Sequence, residues 1–149
     1  MNRRQLLLRG ALLAALAPVV RAAGGGSTGA GGAGEAAPPQ IAVHDPALRR
    51  SREFAAALQD RGARVLALEP DAMAAWHDQL RAACVASPAT RVVGLTTRTD
   101  FMVLRDLARG VGLAPLALHD ADARDAAAGD PRRRATLVAW VLAPRVAVA

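Results

Sequence analysis

The run Thr96-Thr97-Arg98-Thr99-Asp100 places three hydroxyls and a guanidinium side by side. In front of a helix, such a set can hold a carboxylate or a phosphate. The first-turn N–H groups are free there, and the helix dipole favours negative charge. The same residues also make an ordinary helix start, with Thr97 or Thr99 as the cap and Arg98 in solvent. A second pattern is a repeated pair, His44-Asp45 and His119-Asp120. An imidazole beside a carboxylate suits acid-base work or a metal. Yet successive residues of a strand point to opposite faces, so each pair offers one member to a given pocket unless the chain turns. Asp45 precedes Pro46, a common turn. Two histidines also make an incomplete ligand set, so no metal site is expected.

The other reactive residue types read as structure. No G-x-S-x-G elbow is present, Ser51 falls in a helix first turn, and Ser87 precedes a proline. Trp76 reads as a core anchor, with His77 on the exposed face of the same helix. Cys84 is the single cysteine, so no intramolecular disulfide can form. Beside Ala83 and Val85 it reads as a small buried residue. Arg132-Arg133-Arg134 faces Asp120, Asp122, Asp125 and Asp130 within one polar stretch. That reads as a solvated, self-paired loop, or as a surface for an acidic partner.

These residues are spaced by alternating strand and helix signals. Ile41 to His44 is a short apolar run stopped by Asp45-Pro46. Ala47 to Arg61 has helical spacing, with Leu48, Phe54 and Leu58 on one side and Gly62 as C-cap. Arg64 to Leu68 is the second strand. Asp71 is a good N-cap for a helix to about Ala86 that carries Met73, Trp76, Leu80 and Cys84 on one stripe. Arg91 to Thr96 is the third strand. Thr97 to Arg109 is the third helix, with Phe101, Leu104, Leu107 and Ala108 inward and Gly110 and Gly112 closing it. Leu113 to His119 and Thr136 to Ala143 are two more strands, with a polar loop over 120–135 between them.

Such alternation predicts an α/β domain with a mostly parallel sheet of about five strands. The expected architecture is a small three-layer flavodoxin-like or Rossmann-like domain. A last strand reached only through a loop favours an antiparallel hairpin with the fourth. The strand order is 2-1-3-4-5 or a variant of it. In such sheets ligands bind beyond the carboxyl ends of the strands. That edge gathers the candidate site residues Thr96, Thr97, Arg98 and Thr99, with His44 and His119.

The N-terminus reads as an address. Arg3-Arg4 lie beside Gln5-Leu6-Leu7-Leu8, a mild apolar run covers Gly10 to Val20, and Val20-Arg21-Ala22 has the small-residue form of a cleavage site. The run is shorter than the roughly 20 apolar residues of a membrane span. Adjacent arginines, a modest apolar region and Arg21 before the cut favour twin-arginine (Tat) export over the general secretory route. Residues 1–22 are therefore expected to be a Tat signal cleaved after Ala22. Residues 23–39 read as a flexible Gly/Ala-rich linker, and 40–149 as one domain. The glycines of the linker are no phosphate loop, because no strand precedes them and no Lys-Ser/Thr follows.

The whole chain carries a formal charge of +6, but four arginines belong to the signal, which leaves about +2. That is not the footprint of a nucleic-acid binder. There is no lysine or tyrosine and only two phenylalanines, so base-stacking platforms are missing.

The strings Gly94-Leu95-Thr96-Thr97-Arg98-Thr99-Asp100-Phe101 and Leu137-Val138-Ala139-Trp140-Val141-Leu142-Ala143-Pro144, with Leu104 and Leu107 between them, together resemble a group of uncharacterised small bacterial proteins. Members of that group also begin with twin-arginine signals. The resemblance implies no activity and assigns no residue a role. The expectation is an exported, periplasmic protein, secreted where the host has no outer membrane. It would be non-enzymatic and without a cofactor, binding a small anionic ligand or serving an exported enzyme. The Tat translocase is the expected partner in transit, with no membrane anchor after cleavage. The alternative is a small hydrolase or metal-dependent enzyme using His44, Asp45, His119 and Asp120.

Overall fold

The computed structural model describes residues 39–127 and 130–145. The expected signal over 1–22 and the linker up to residue 38 lie outside the described residues. So do the side chains of the Arg132-Arg133-Arg134 run and of Asp122, Asp125 and Asp130.

The chain is α/β, a five-stranded mixed sheet with three helices. Strand β1 is Gln40–His44, and helix α1 is Arg49–Gln59. Strand β2 is Arg64–Ala67. Helix α2 joins three segments, Ala72–Ala75, Trp76–Leu80 and Arg81–Ala86. Strand β3 is Arg91–Thr97, and helix α3 is Arg98–Ala108, extended by a 3-10 turn over Arg109–Val111. Strands β4, Leu113–Ala127, and β5, Asp130–Pro144, form an antiparallel hairpin.

Local chemistry sets the element ends. Asp71 accepts a hydrogen bond from Ala74 N–H at 2.8 Å and caps α2. Gly62 and Gly112 take left-handed backbone at φ 93° and 82°, the conformation that lets a helix end and the next strand begin. Within α2, Trp76, Leu80 and Cys84 are buried. Residues four apart drift around an α-helix of 3.6 residues per turn. The wider π-helical turn over Trp76–Leu80 takes up that drift. Met73, expected on the same stripe, is exposed, because the inward face begins with Ala72 and Ala75 instead.

The sheet order is β2-β1-β3-β5-β4. β1 pairs in parallel with β2 and β3, whereas β5 runs antiparallel to both β3 and β4. The hairpin favoured by the sequence is present, but its second strand folds inward. β5 fills the position beside β3, and β4 becomes the edge. Leu137 to Leu142 are all fully buried, whereas Leu116 and Leu118 of β4 are exposed. Alternate residues of β5 serve two clusters. Val138, Trp140 and Leu142 pack with Trp76, Leu80, Phe101 and Leu104 of α2 and α3. Leu137, Ala139 and Val141 pack with Phe54, Ala55 and Leu58 of α1.

Of the stretch 120–135, expected as a polar loop, residues up to Ala127 and from Asp130 onward are strand instead. The hairpin pairs Arg124 with Thr136 and Ala126 with Arg134. Its pairing runs past Leu137, where β5 leaves β3, so this part is a two-stranded ribbon. Residues 120–135 contain no β-branched or aromatic residue, so their composition does not read as strand.

Candidate functional site

The carboxyl ends of β1, β2 and β3 lie at one edge of the sheet, where His44 registers with Ala67 on one side and Leu95 on the other. The chain turns at once after His44. Asp45 accepts from Ala47 N–H at 2.8 Å, and its own N–H donates to Ser51 Oγ at 2.9 Å. The Ser51 hydroxyl donates in turn to the carbonyl of Leu95. A buried side chain of α1 thus ties the end of β1 to the end of β3. The sequence does carry a signal for this role of Ser51. The residue sits three residues after Leu48 and before Phe54, on the buried stripe of α1, where a hydroxyl needs partners.

His44 is half-buried, and its Nδ1 is buried with no hydrogen-bond partner. Burial lowers its pKa below the ordinary imidazole value. The backbone and carboxylate of Asp45 oppose that shift, Arg52 adds to it, and Glu69 opposes it. Asp100, in the first turn of α3, is also half-buried. Burial raises its pKa, the Thr97 hydrogen bond lowers it, and the charges of Asp45 and Asp71 raise it further. Asp45, Glu69, Asp71 and Asp100 lie at this edge together with Arg49, Arg50, Arg52 and Arg98.

The threonine run divides. Thr96 is buried and faces the core. Its Oγ1 accepts from Trp140 Nε1 at 2.9 Å and donates to the Thr97 carbonyl at 3.1 Å. Thr97 caps α3, accepting from Asp100 N–H at 3.2 Å and donating to Asp100 Oδ2 at 2.8 Å. Thr99 is exposed beside Arg98. The Arg98 guanidinium, half-exposed, pairs with the carboxylate of Asp120 on β4.

No family model, no curated protein and no solved structure matches this chain. The geometry therefore carries the functional reading.

The strand order separates the two His-Asp pairs. β3 and β5 lie between β1 and β4, and three strand spacings are about 14 Å. His44 and His119 do not meet around one ion. Among the described residues, no three His, Cys, Asp or Glu side chains form a metal-binding group. His119 is exposed on the edge strand, opposite Ala139. Asp120 is brought to the start of α3. Trp76 is a core anchor, and His77 is exposed, as read from the sequence. Cys84 is buried, and burial pushes its thiol up to about 11. A thiol so placed is not the thiolate that a nucleophile requires.

Proposed function

We propose that this chain is an exported, non-enzymatic protein that binds a small anionic ligand at the carboxyl edge of a three-layer, flavodoxin-like domain. One observation carries the reading: Arg98, at the first turn of α3, already holds a carboxylate, that of Asp120. Both partners are more than half exposed, and such surface pairs are worth about 0–1 kcal/mol. A ligand carboxylate or phosphate can displace Asp120 at little cost. Thr99 stands exposed next to Arg98. Mass spectrometry of the protein purified from the exported fraction tests this. A stoichiometric small anion, lost in Arg98→Ala without loss of stability, supports it. Anion binding unchanged in Arg98→Ala removes it, and a larger exported protein in place of a small molecule makes the chain an accessory subunit.

Export by the twin-arginine route, with the translocase as partner and the periplasm as destination, is part of the same proposal. It rests on Arg3-Arg4 and the modest apolar run that follows. Arg3→Lys/Arg4→Lys should leave the chain inside the cell. Normal export of that variant would overturn the route.

A further inference from the structure

The two edges of the sheet differ in charge balance. At the carboxyl edge Asp45, Glu69, Asp71 and Asp100 are matched by Arg49, Arg50, Arg52 and Arg98. The opposite, amino edge gathers arginines from five separate places. Arg61 follows α1, Arg64 begins β2, and Arg91 begins β3. Arg105 and Arg109 lie at the end of α3, and Arg145 follows β5. The register holds them to one edge. Arg64 stands opposite Ile41 and Arg91 opposite Gln40, at the start of β1. Arg145 N–H donates to the Gly112 carbonyl at 2.9 Å, just before β4. Among the described residues, six arginines share that edge with two carboxylates, Asp60 and Asp106, and Asp106 is shared by Arg105 and Arg109. Arg61, Arg64, Arg109 and Arg145 are exposed.

Helix dipoles account for only part of this charge. Cations after α1 and α3 complement helix C-termini, which covers Arg61, Arg105 and Arg109. Arg64, Arg91 and Arg145 are at strand ends, where a sheet offers almost no net dipole. The chain also enters the domain at this edge, since β1 begins with Gln40. Residues 23–39 precede it, and the apolar run with Arg3, Arg4 and Arg9 lies before them. A Gly-rich stretch of that length spans roughly 20–25 Å. An apolar segment held in a bilayer would therefore keep this basic edge close to the lipid headgroups.

We infer that the amino edge docks on an anionic lipid surface while the N-terminal segment is in the membrane, before cleavage. This rests on the export reading above. A membrane fits better than a nucleic acid, because the tether to an apolar segment and the charge lie at the same end.

The test uses the full chain and vesicles of phosphatidylcholine alone or with 30% phosphatidylglycerol. Each arginine near an anionic surface contributes about fivefold in binding. Arg61→Gln/Arg64→Gln/Arg109→Gln should therefore weaken binding to the anionic vesicles at least about tenfold. Binding to the neutral vesicles should be unchanged. Arg49→Gln/Arg50→Gln/Arg52→Gln removes the same charge from α1, away from this edge, and should weaken binding much less. Equal loss in the two triple variants reduces the effect to net charge and overturns the proposal. So does undiminished binding of the first variant, or a preference of this edge for duplex DNA over the anionic vesicles. Leu12→Asp/Leu13→Asp reports on the tether separately. If it binds neutral vesicles as the wild type does, the apolar segment is not the anchor and the export reading fails instead.

Discussion

Gly94→Ala should be among the most damaging single-methyl additions to this protein. Gly94 of β3 lies directly opposite Trp140 of β5, and the indole lies across it. A Cβ at Gly94 would stand 2.3 Å from Trp140 Cζ2, 2.5 Å from Cε2 and 3.0 Å from Cη2. Ordinary carbon contacts are about 3.5–4.0 Å, so the ring would have to withdraw by about 1 Å or more. It has nowhere to go. Trp140 is fully buried, its Nε1 donates to Thr96 Oγ1 at 2.9 Å, and the Phe101 ring lies 5.6 Å away, centroid to centroid. Overpacking typically costs about 1–3 kcal/mol. Breaking the indole hydrogen bond inside the core adds about 1–3 kcal/mol. The expected loss is about 4 kcal/mol, a large share of the roughly 5–15 kcal/mol that a domain has.

Urea denaturation reads this as a midpoint lowered by roughly 2 M at an unchanged slope. Thr96→Val, which keeps the shape and removes the acceptor, isolates the hydrogen-bond share at about 1–3 kcal/mol. A double-mutant cycle decides the cause. With Trp140→Leu as background, Gly94→Ala should cost less than about 1 kcal/mol, giving a coupling above about 2 kcal/mol. A loss below about 1 kcal/mol in the wild-type background would refute the reasoning. So would an equal loss in both backgrounds.

Two further predictions concern the candidate site. Ser51→Ala leaves the Asp45 N–H and the Leu95 carbonyl without their shared hydroxyl. It should lose about 1–3 kcal/mol, with faster amide exchange at Asp45; unchanged stability and exchange would show that the bridge is dispensable. Asp100 has its pKa raised in the fold. It binds its proton more readily folded than unfolded, so its contribution to stability grows as pH falls through the folded pKa toward the unfolded value near 3.9. Above the folded pKa the charged form costs stability. Asp100→Asn, which can still accept from Thr97, should be at least as stable as the wild type at pH 7 and should lose that advantage near pH 4. Equal destabilisation of the variant at both pH values would contradict the burial of this carboxyl.

The sequence by itself determined the parts that depend on neighbours along the chain. The caps Asp71, Thr97, Gly62 and Gly112 are where turn and cap chemistry puts them, because a helix end is satisfied by residues within a few positions. The alternation of strands and helices was legible for the same reason, as was the buried stripe of α1. Even the inward place of β5 left a trace. Leu137-Val138-Ala139-Trp140-Val141-Leu142 is apolar at both parities, as a strand buried on both faces must be. An edge strand needs only one apolar face. The hydroxyls of Ser51 and Thr96 belong to the other class. Each is spoken for by a residue forty-four positions away, Leu95 and Trp140. The buried stripe of α1 marks Ser51 as needing a partner, but nothing local names Leu95 or Trp140 as the one. Tertiary structure alone also decided that His44 and His119 stand apart and that Asp120 reaches Arg98. Both follow from β5 entering between β3 and β4. Strand order is chosen by the packing of whole strands, whereas the sequence displays only the faces each strand can afford to bury.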